Sequence, residues 1–244
     1  MIRSVESAGE DALFTDSEAA KVAGEEAYAW FESLAPETQT EMKGMVAVRT
    51  RWIDDVARGA IDGECAQVVV VGSGLDTRYA RDVYRPDTCV FELDFDEVLE
   101  RMGHHVESSA FTYRRIPVSV DLSSEGLEAL AESGLFTRAD PTLWILEGVT
   151  GYLSEEAVGR TLRAARELSA AGSVLVSTFV GASRRAFGPS HDVSSQHTFA
   201  TDAPKHVLED NGWVASEERL GAVAARYRRV GLSDYDYWLC RATT

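Results

Sequence analysis

Residues 67–81 read QVVVVGSGLDTRYAR, and the fold class follows from the change of character at Gly72. Four consecutive valines suit a strand covered on both faces, as in a parallel sheet. The Gly-Ser-Gly after them is where such a strand turns toward a helix beside a bound nucleotide. Gly72 and Gly74 carry no Cβ, so the chain turns tightly and its backbone can approach a ligand. Glycine turns of this kind also follow apolar strands in α/β proteins that bind nothing there, so the other strand ends have to decide. A helix is predicted over residues 75–83.

Downstream, strands and helices alternate, which is the rhythm of a parallel sheet with crossover helices. The second strand covers residues 88–93 and closes at Asp94, 20 residues after Gly74. At that separation a carboxylate reaches the ribose hydroxyls of a nucleotide lying across the first turn. The plainer reading is a cap for the helix DEVLERM. A third strand within residues 113–120 ends at Asp121 and Leu122, an acid and an apolar residue suited to an adenine ring. A helix over residues 125–133 follows. Pro141 introduces TLWILEG, apolar until Glu147, where a carboxylate at the end of a buried strand is costly without a partner or ligand. Ser154 caps a helix running through SEEAVGRTLRAARELSA. A fifth strand covers residues 173–180. Residues 181–202 have no sustained period and read as a lid or insertion. A short helix over residues 203–211, then strands around 213–220 and 234–241, complete the chain.

Upstream, DSEAAKVAGEEAYAWFESLA reads as one helix capped by Asp16 or Ser17, and EMKGMVAVRTRWIDDVARGA as a second. Arg49 and Arg51 interrupt the apolar face of the second helix and can reach over the glycine turn to a carboxylate. The organisation expected is one domain, with a helical cap over residues 1–62 and an α/β core over 63–244.

At 244 residues and 45% hydrophobic content the chain can build one large core. With 24 basic and 40 acidic residues the net charge is −16. That disfavours nucleic acid and anionic membrane as partners, because both would be repelled. Cys65, Cys89 and Cys240 are scattered, without a CxxC pair or a histidine at zinc spacing, so reduced thiols and no metal are expected. No run approaches the roughly 18 apolar residues of a membrane span, and the start lacks a signal-peptide core. A soluble, cytoplasmic protein is expected.

Four strand ends, at Gly72–Gly74, Asp94, Asp121 and Glu147, thus fall on one carboxyl edge, where open α/β sheets bind ligands. Three of them are carboxylates, which crowd a pyrophosphate and suit a cationic cofactor. Thr77 stands where a dinucleotide fingerprint has its third glycine. S-adenosylmethionine is therefore preferred to NAD. An NAD-dependent oxidoreductase and a non-catalytic cofactor-binding protein remain as alternatives, since the second keeps every cofactor residue.

The blocks VVVVGSGLDTRYAR, FELDFDEV, PVSVDL and PTLWILEGVTGYLSEEAV, with RSVESAGEDALFTDSEAA and VRTRWIDD upstream, resemble the leucine carboxyl methyltransferase family. The likeness is greatest to its bacterial small-molecule branch of polyketide-type O-methyltransferases. The resemblance implies a class I (Rossmann-like) methyltransferase fold, with a seven-stranded, mostly parallel sheet, a reversed last strand and a helical N-terminal cap. It implies S-adenosyl-L-methionine as cofactor and oxygen methylation of a small carboxylate or phenol in secondary metabolism. Carried over by position, Arg49 resembles the arginine holding the cofactor's carboxylate. Gly72, Ser73 and Gly74 match the first turn, Asp94 the ribose acid, Asp121 and Leu122 the adenine pair, and Glu147 the acid near the methionine amino group.

A carboxylate acceptor is ionised at neutral pH and needs no base, whereas a phenol gains from one. His191 and His197, in the irregular stretch near the mouth of the site, are the candidates for that base. Tyr152 and Arg184 are placed to touch substrate.

Overall fold

A computed structural model describes residues 1–106, 113–183 and 198–244. Its centre is β1 (Gln67–Val71), all five residues of which are buried. Alternate valines enter two separate apolar layers. Val69 and Val71 join one cluster with Trp144, Leu162 and Phe179, while Val68 and Val70 join another with Trp52, Ile53 and Val223. A run of valines is stable only where both faces are covered, so the composition of this strand already implies a layer on each side.

The remaining strands are β2 (Cys89–Asp94), β3 (Arg114–Ser119), β4 (Thr142–Leu146), β5 (Val174–Val180), β6 (Val214–Arg219) and β7 (Tyr237–Thr243). They form one seven-stranded sheet in the order β3-β2-β1-β4-β5-β7-β6. The first five run parallel to one another, and β7 runs antiparallel to both β5 and β6. This is the class I methyltransferase fold expected from the sequence, with its reversed last strand. The edge strands β3 and β6 expose alternate residues, and Pro117 sits on edge strand β3, where a missing N–H costs least. Strand order reverses between β2-β1 and β4-β5, so the carboxyl ends of β1, β2 and β4 border one crevice.

The cap comprises α1 (Ile2–Ser7), α2 (Ala19–Ala23), α3 (Glu25–Glu32) and α4 (Pro36–Gly63). The core helices are α5 (Asp96–Val106), α6 (Glu128–Glu132), α7 (Glu155–Glu167), α8 (Pro204–Glu209) and α9 (Leu220–Arg226). α4 is longer than its apolar period suggested, because Pro36 starts it a turn and more before the periodic stretch. Its inner residues Val48, Trp52 and Ile53 lie on the same side of the sheet as α9. At α7 the expected cap is present, with the Ala157 N–H donating to Ser154 Oγ at 3.2 Å.

Three local expectations are corrected. The helix predicted over residues 75–83 is only a 3-10 turn, Arg78–Arg81. There the Asp76 side chain takes the Arg78 N–H at 2.9 Å, and Asp82 closes the turn in a left-handed conformation with φ +51°. The single helix predicted over DSEAAKVAGEEAYAWFESLA breaks at Gly24, whose φ of +74° ends α2 before α3 begins. The helix predicted over residues 125–133 shrinks to α6.

Candidate cofactor and active site

The carboxyl ends of β1, β2 and β4, the loop after β3 and the cap enclose a cavity of about 660 Å³. All eight residues expected to hold the cofactor line it, namely Arg49, Gly72, Ser73, Gly74, Asp94, Asp121, Leu122 and Glu147. Tyr152 lines it too and is 46% exposed, as a residue at the mouth would be. Arg184, His191 and His197 lie outside the described residues.

The two glycines of the first turn serve different ends. Gly72 has φ +66°, and a Cβ there would fall 2.5 Å from Val149 Cγ2. Its absent side chain thus makes room for the loop after β4, which then forms a wall of the cavity. Gly74 has φ +52°, and a Cβ there would meet nothing within 4 Å. Here the left-handed backbone, with the open space beyond it, is what requires glycine. The Gly72 and Ser73 N–H groups donate to the Leu93 carbonyl at 2.8 and 3.0 Å, tying the turn to β2.

Asp94 completes that connection. One carboxylate oxygen accepts the Gly74 N–H at 2.7 Å and the other the Phe95 N–H at 2.8 Å. A carboxylate has about four lone-pair sites, so two remain for hydroxyl groups across the turn. Both N–H groups lie outside α5, so the Asp94 carboxylate braces the glycine turn rather than capping the helix DEVLERM. Asp121 organises its own loop, accepting from the Ser123 N–H and from the hydroxyls of Ser123 and Ser124. These hydrogen bonds hold its pKa below the usual carboxylate value.

Glu147 is placed otherwise than its strand-end position suggested. Arg49 Nε donates to one of its oxygens at 2.7 Å, and Arg78 grips the other. Burial pushes its pKa up, but Arg49, Arg78 and Arg3 more than offset that and hold it far below the ordinary range. The expectation that three strand-end carboxylates leave the crevice anionic is thus incomplete, because Arg3, Arg49 and Arg78 also line the cavity. Arg78 is fully buried, 2.7 Å from Asp76 and with its Nε 3.1 Å from Asp54. Arg81 joins Asp54 to Asp16 at 2.7 and 2.8 Å. Arg3 reaches Asp16 at 3.1 Å and the Leu75 carbonyl beside the glycine turn.

The sequence reading missed Arg3, Asp76, Arg78 and Arg81. The RYAR spacing places two arginines three apart, hence on one side of a turn, and that was the available signal. Of the two arginines left open on α4, Arg49 faces the cavity. Arg51 instead pairs with Asp55 at 2.9 Å and donates to the Leu13 carbonyl.

The residues present fit S-adenosylmethionine. The volume suits a ligand of its size, Asp94 retains acceptor capacity at the glycine turn, and the guanidinium groups of Arg3, Arg49 and Arg78 line the cavity. Ser73 Oγ is buried in the cavity wall without a hydrogen-bond partner among the described residues, so a ligand can satisfy it. Among the described residues no group of histidine, cysteine, aspartate and glutamate is placed to hold a metal, and no helix is long and apolar enough to cross a membrane.

Residues 1–166, which contain the cap, the glycine turn, Asp94, Asp121 and Glu147, match the family pattern described as leucine carboxyl methyltransferase. The chain belongs to that family. A protein of Mycolicibacterium paratuberculosis, provisionally named an S-adenosyl-L-methionine-dependent methyltransferase, is 30% identical over 257 residues, covering 98% of this chain and 75% of the relative. A protein of Saccharopolyspora erythraea with the same provisional name is 33% identical over 207 residues, covering 80% of this chain and 71% of its own. Among solved structures, a DUF574 family protein of Streptomyces avermitilis superposes with a TM-score of 0.64 at 16% identity, covering 100% of this chain and 95% of that one. A protein of Thermobifida fusca, provisionally assigned as a methyltransferase, gives 0.63 at 16% identity, with coverage of 100% and 93%. These two likenesses concern the fold alone. As a leucine carboxyl methyltransferase family member, the chain is an S-adenosylmethionine-dependent methyltransferase by kinship, and the cavity lies where that superfamily's sheet presents its strand ends.

Proposed function

We propose that this chain transfers a methyl group from S-adenosylmethionine to an oxygen of a small carboxylic acid or phenol, in the manner of the polyketide-type branch that its blocks resemble. The observation that carries the reading is that one cavity gathers all eight residues expected to hold the cofactor, from five separate parts of the chain. In it, Asp94 would take the ribose hydroxyls, Asp121 and Leu122 the adenine, Arg49 the carboxylate and Glu147 the amino group. Bound there, S-adenosylmethionine supplies an electrophilic methyl on a sulfonium. The chain's part is to align an acceptor oxygen behind that methyl and to keep water out. Val46, Val149 and Leu153 give the cavity an apolar wall suited to that exclusion. Tyr152, at the mouth, is proposed to touch the acceptor. A carboxylate acceptor reacts in its ionised form and asks no proton transfer of the protein. A phenol would call on His191 or His197, and Arg184 would steer an anionic acceptor.

The test is titration calorimetry with S-adenosylhomocysteine and with NADH, followed by NMR of the product from an acceptor found by screening. Binding of the first ligand and not the second, with methyl on oxygen, is expected. Tight NADH binding without a response to S-adenosylhomocysteine would falsify the cofactor assignment. A methylated nitrogen or carbon would overturn the oxygen assignment alone.

A further inference from the structure

Tyr237 opens the reversed strand β7, opposite Val180 of β5. Its side chain is buried and does not line the cavity, yet its hydroxyl is engaged on two sides. Thr178 Oγ1 lies 2.9 Å away, and an Arg49 terminal nitrogen 3.3 Å away. Thr178 Oγ1 also accepts the Gly148 N–H at 2.9 Å.

The directions of these bonds follow from the chemistry of the groups. A guanidinium only donates, so Arg49 gives a proton to the tyrosine oxygen. The single phenolic proton is then directed to Thr178 Oγ1, whose two lone pairs are filled by Tyr237 and Gly148. The chain thus has one polarity, from Arg49 through Tyr237 to Thr178. Arg49 is fixed at two points, its Nε on Glu147 at 2.7 Å and a terminal nitrogen on Tyr237. A planar fork anchored twice has one orientation left.

We propose that Tyr237 is a positioning residue for the cofactor's amino-acid end: with Thr178 it sets the plane of Arg49 and ties that arginine to the Gly148 loop. The inference rests on the proposed role of Arg49 toward a cofactor carboxylate. It gives the reversed strand a function besides covering the sheet, because β7 delivers the hydroxyl from beneath to an arginine carried by α4.

The test measures binding of two probes, S-adenosylhomocysteine and 5′-methylthioadenosine, to the full chain. The second keeps the nucleoside and thioether but has no amino-acid carboxylate. Tyr237→Phe, which removes one oxygen, should weaken S-adenosylhomocysteine about tenfold and leave methylthioadenosine unchanged. Thr178→Val should behave likewise, and Thr178→Ser, which keeps the acceptor, should match wild type. In an Arg49→Lys background, Tyr237→Phe should cost nothing further. Unchanged S-adenosylhomocysteine affinity in Tyr237→Phe, equal weakening of both probes, or full additivity with Arg49→Lys would each overturn the inference. A wild-type protein that ignores S-adenosylhomocysteine would instead overturn the functional reading beneath it.

Discussion

Two glutamates, in or just past the strands that flank β1, behave in opposite ways. Glu147, just past β4, sits between Arg49 and Arg78 and stays ionised to a very low pH. Glu92, inside β2, has one paired cation among the described residues, Arg115, at 2.8 Å. Burial pushes the pKa of Glu92 up to about 7, Arg115 pulling it down while Asp76 and Asp94 add to the rise. Burial favours the neutral form of both, so the balance of surrounding charges decides which one keeps its proton. Where the cavity needs a permanent charge, the fold supplies two guanidiniums. Beneath it, where Tyr79 and Tyr113 also feel the charge of Glu92, it supplies one.

The largest expected effect breaks the first side of that comparison. Arg78→Leu leaves Glu147, Asp76 and Asp54 without their shared cation in a region closed to water. A loss of about 3–5 kcal/mol in urea unfolding is expected, as for breaking other buried pairs. Stability within about 1 kcal/mol of wild type would mean that Arg49 alone suffices for Glu147, and the contrast with Glu92 would then lose its cause.

The second prediction concerns the sign of the pH dependence. A carboxyl group whose folded pKa is raised binds its proton more tightly in the folded state. The stability from Glu92 is therefore complete below the unfolded value of 4.5 and is lost as pH rises through about 7. Glu147, with its pKa depressed, contributes above that unfolded value and loses its contribution in acid. Between pH 5 and 8 wild type should lose up to about 3 kcal/mol that Glu92→Gln does not lose. Parallel pH profiles of unfolding for the two proteins would place the Glu92 pKa in the ordinary range and dissolve the comparison.

The smallest effect sharpens the comparison at the cavity. Arg49→Lys keeps the charge beside Glu147 but replaces a two-pronged fork by a point charge, so S-adenosylhomocysteine should bind about tenfold more weakly. Arg51→Lys, on the same helix but paired with Asp55 outside the cavity, should bind as wild type does. Calorimetry showing the reverse order would mean that Arg51 is the cofactor's arginine.

Much of this was legible in the residues. The four valines closing at Gly72, the acid 20 residues after Gly74 and the apolar strand ending at Glu147 each carry a local pattern with one geometric consequence. The network under the cavity carries only the three-residue spacing of Arg78 and Arg81, which names no partner. Arg78 and Arg81 read as part of an ordinary helix, since arginines are usually solvated and their partners Asp16, Asp54 and Glu147 are far away in the sequence. The helix expected there fails for the same reason, because the turn's side chains are drawn to distant carboxylates instead of following a helical period.

By itself, then, the sequence determined which segments are strands, how they are ordered along the chain and which acids end them, because periodicity and turn chemistry act over a few residues. The ionisation of Glu147, the choice of Arg49 over Arg51 and the hydroxyl that Tyr237 brings beneath the site were decided only by the tertiary structure. Charges and hydrogen bonds act across space, and the chain bringing Tyr237 to Arg49 is separated from it by 188 residues.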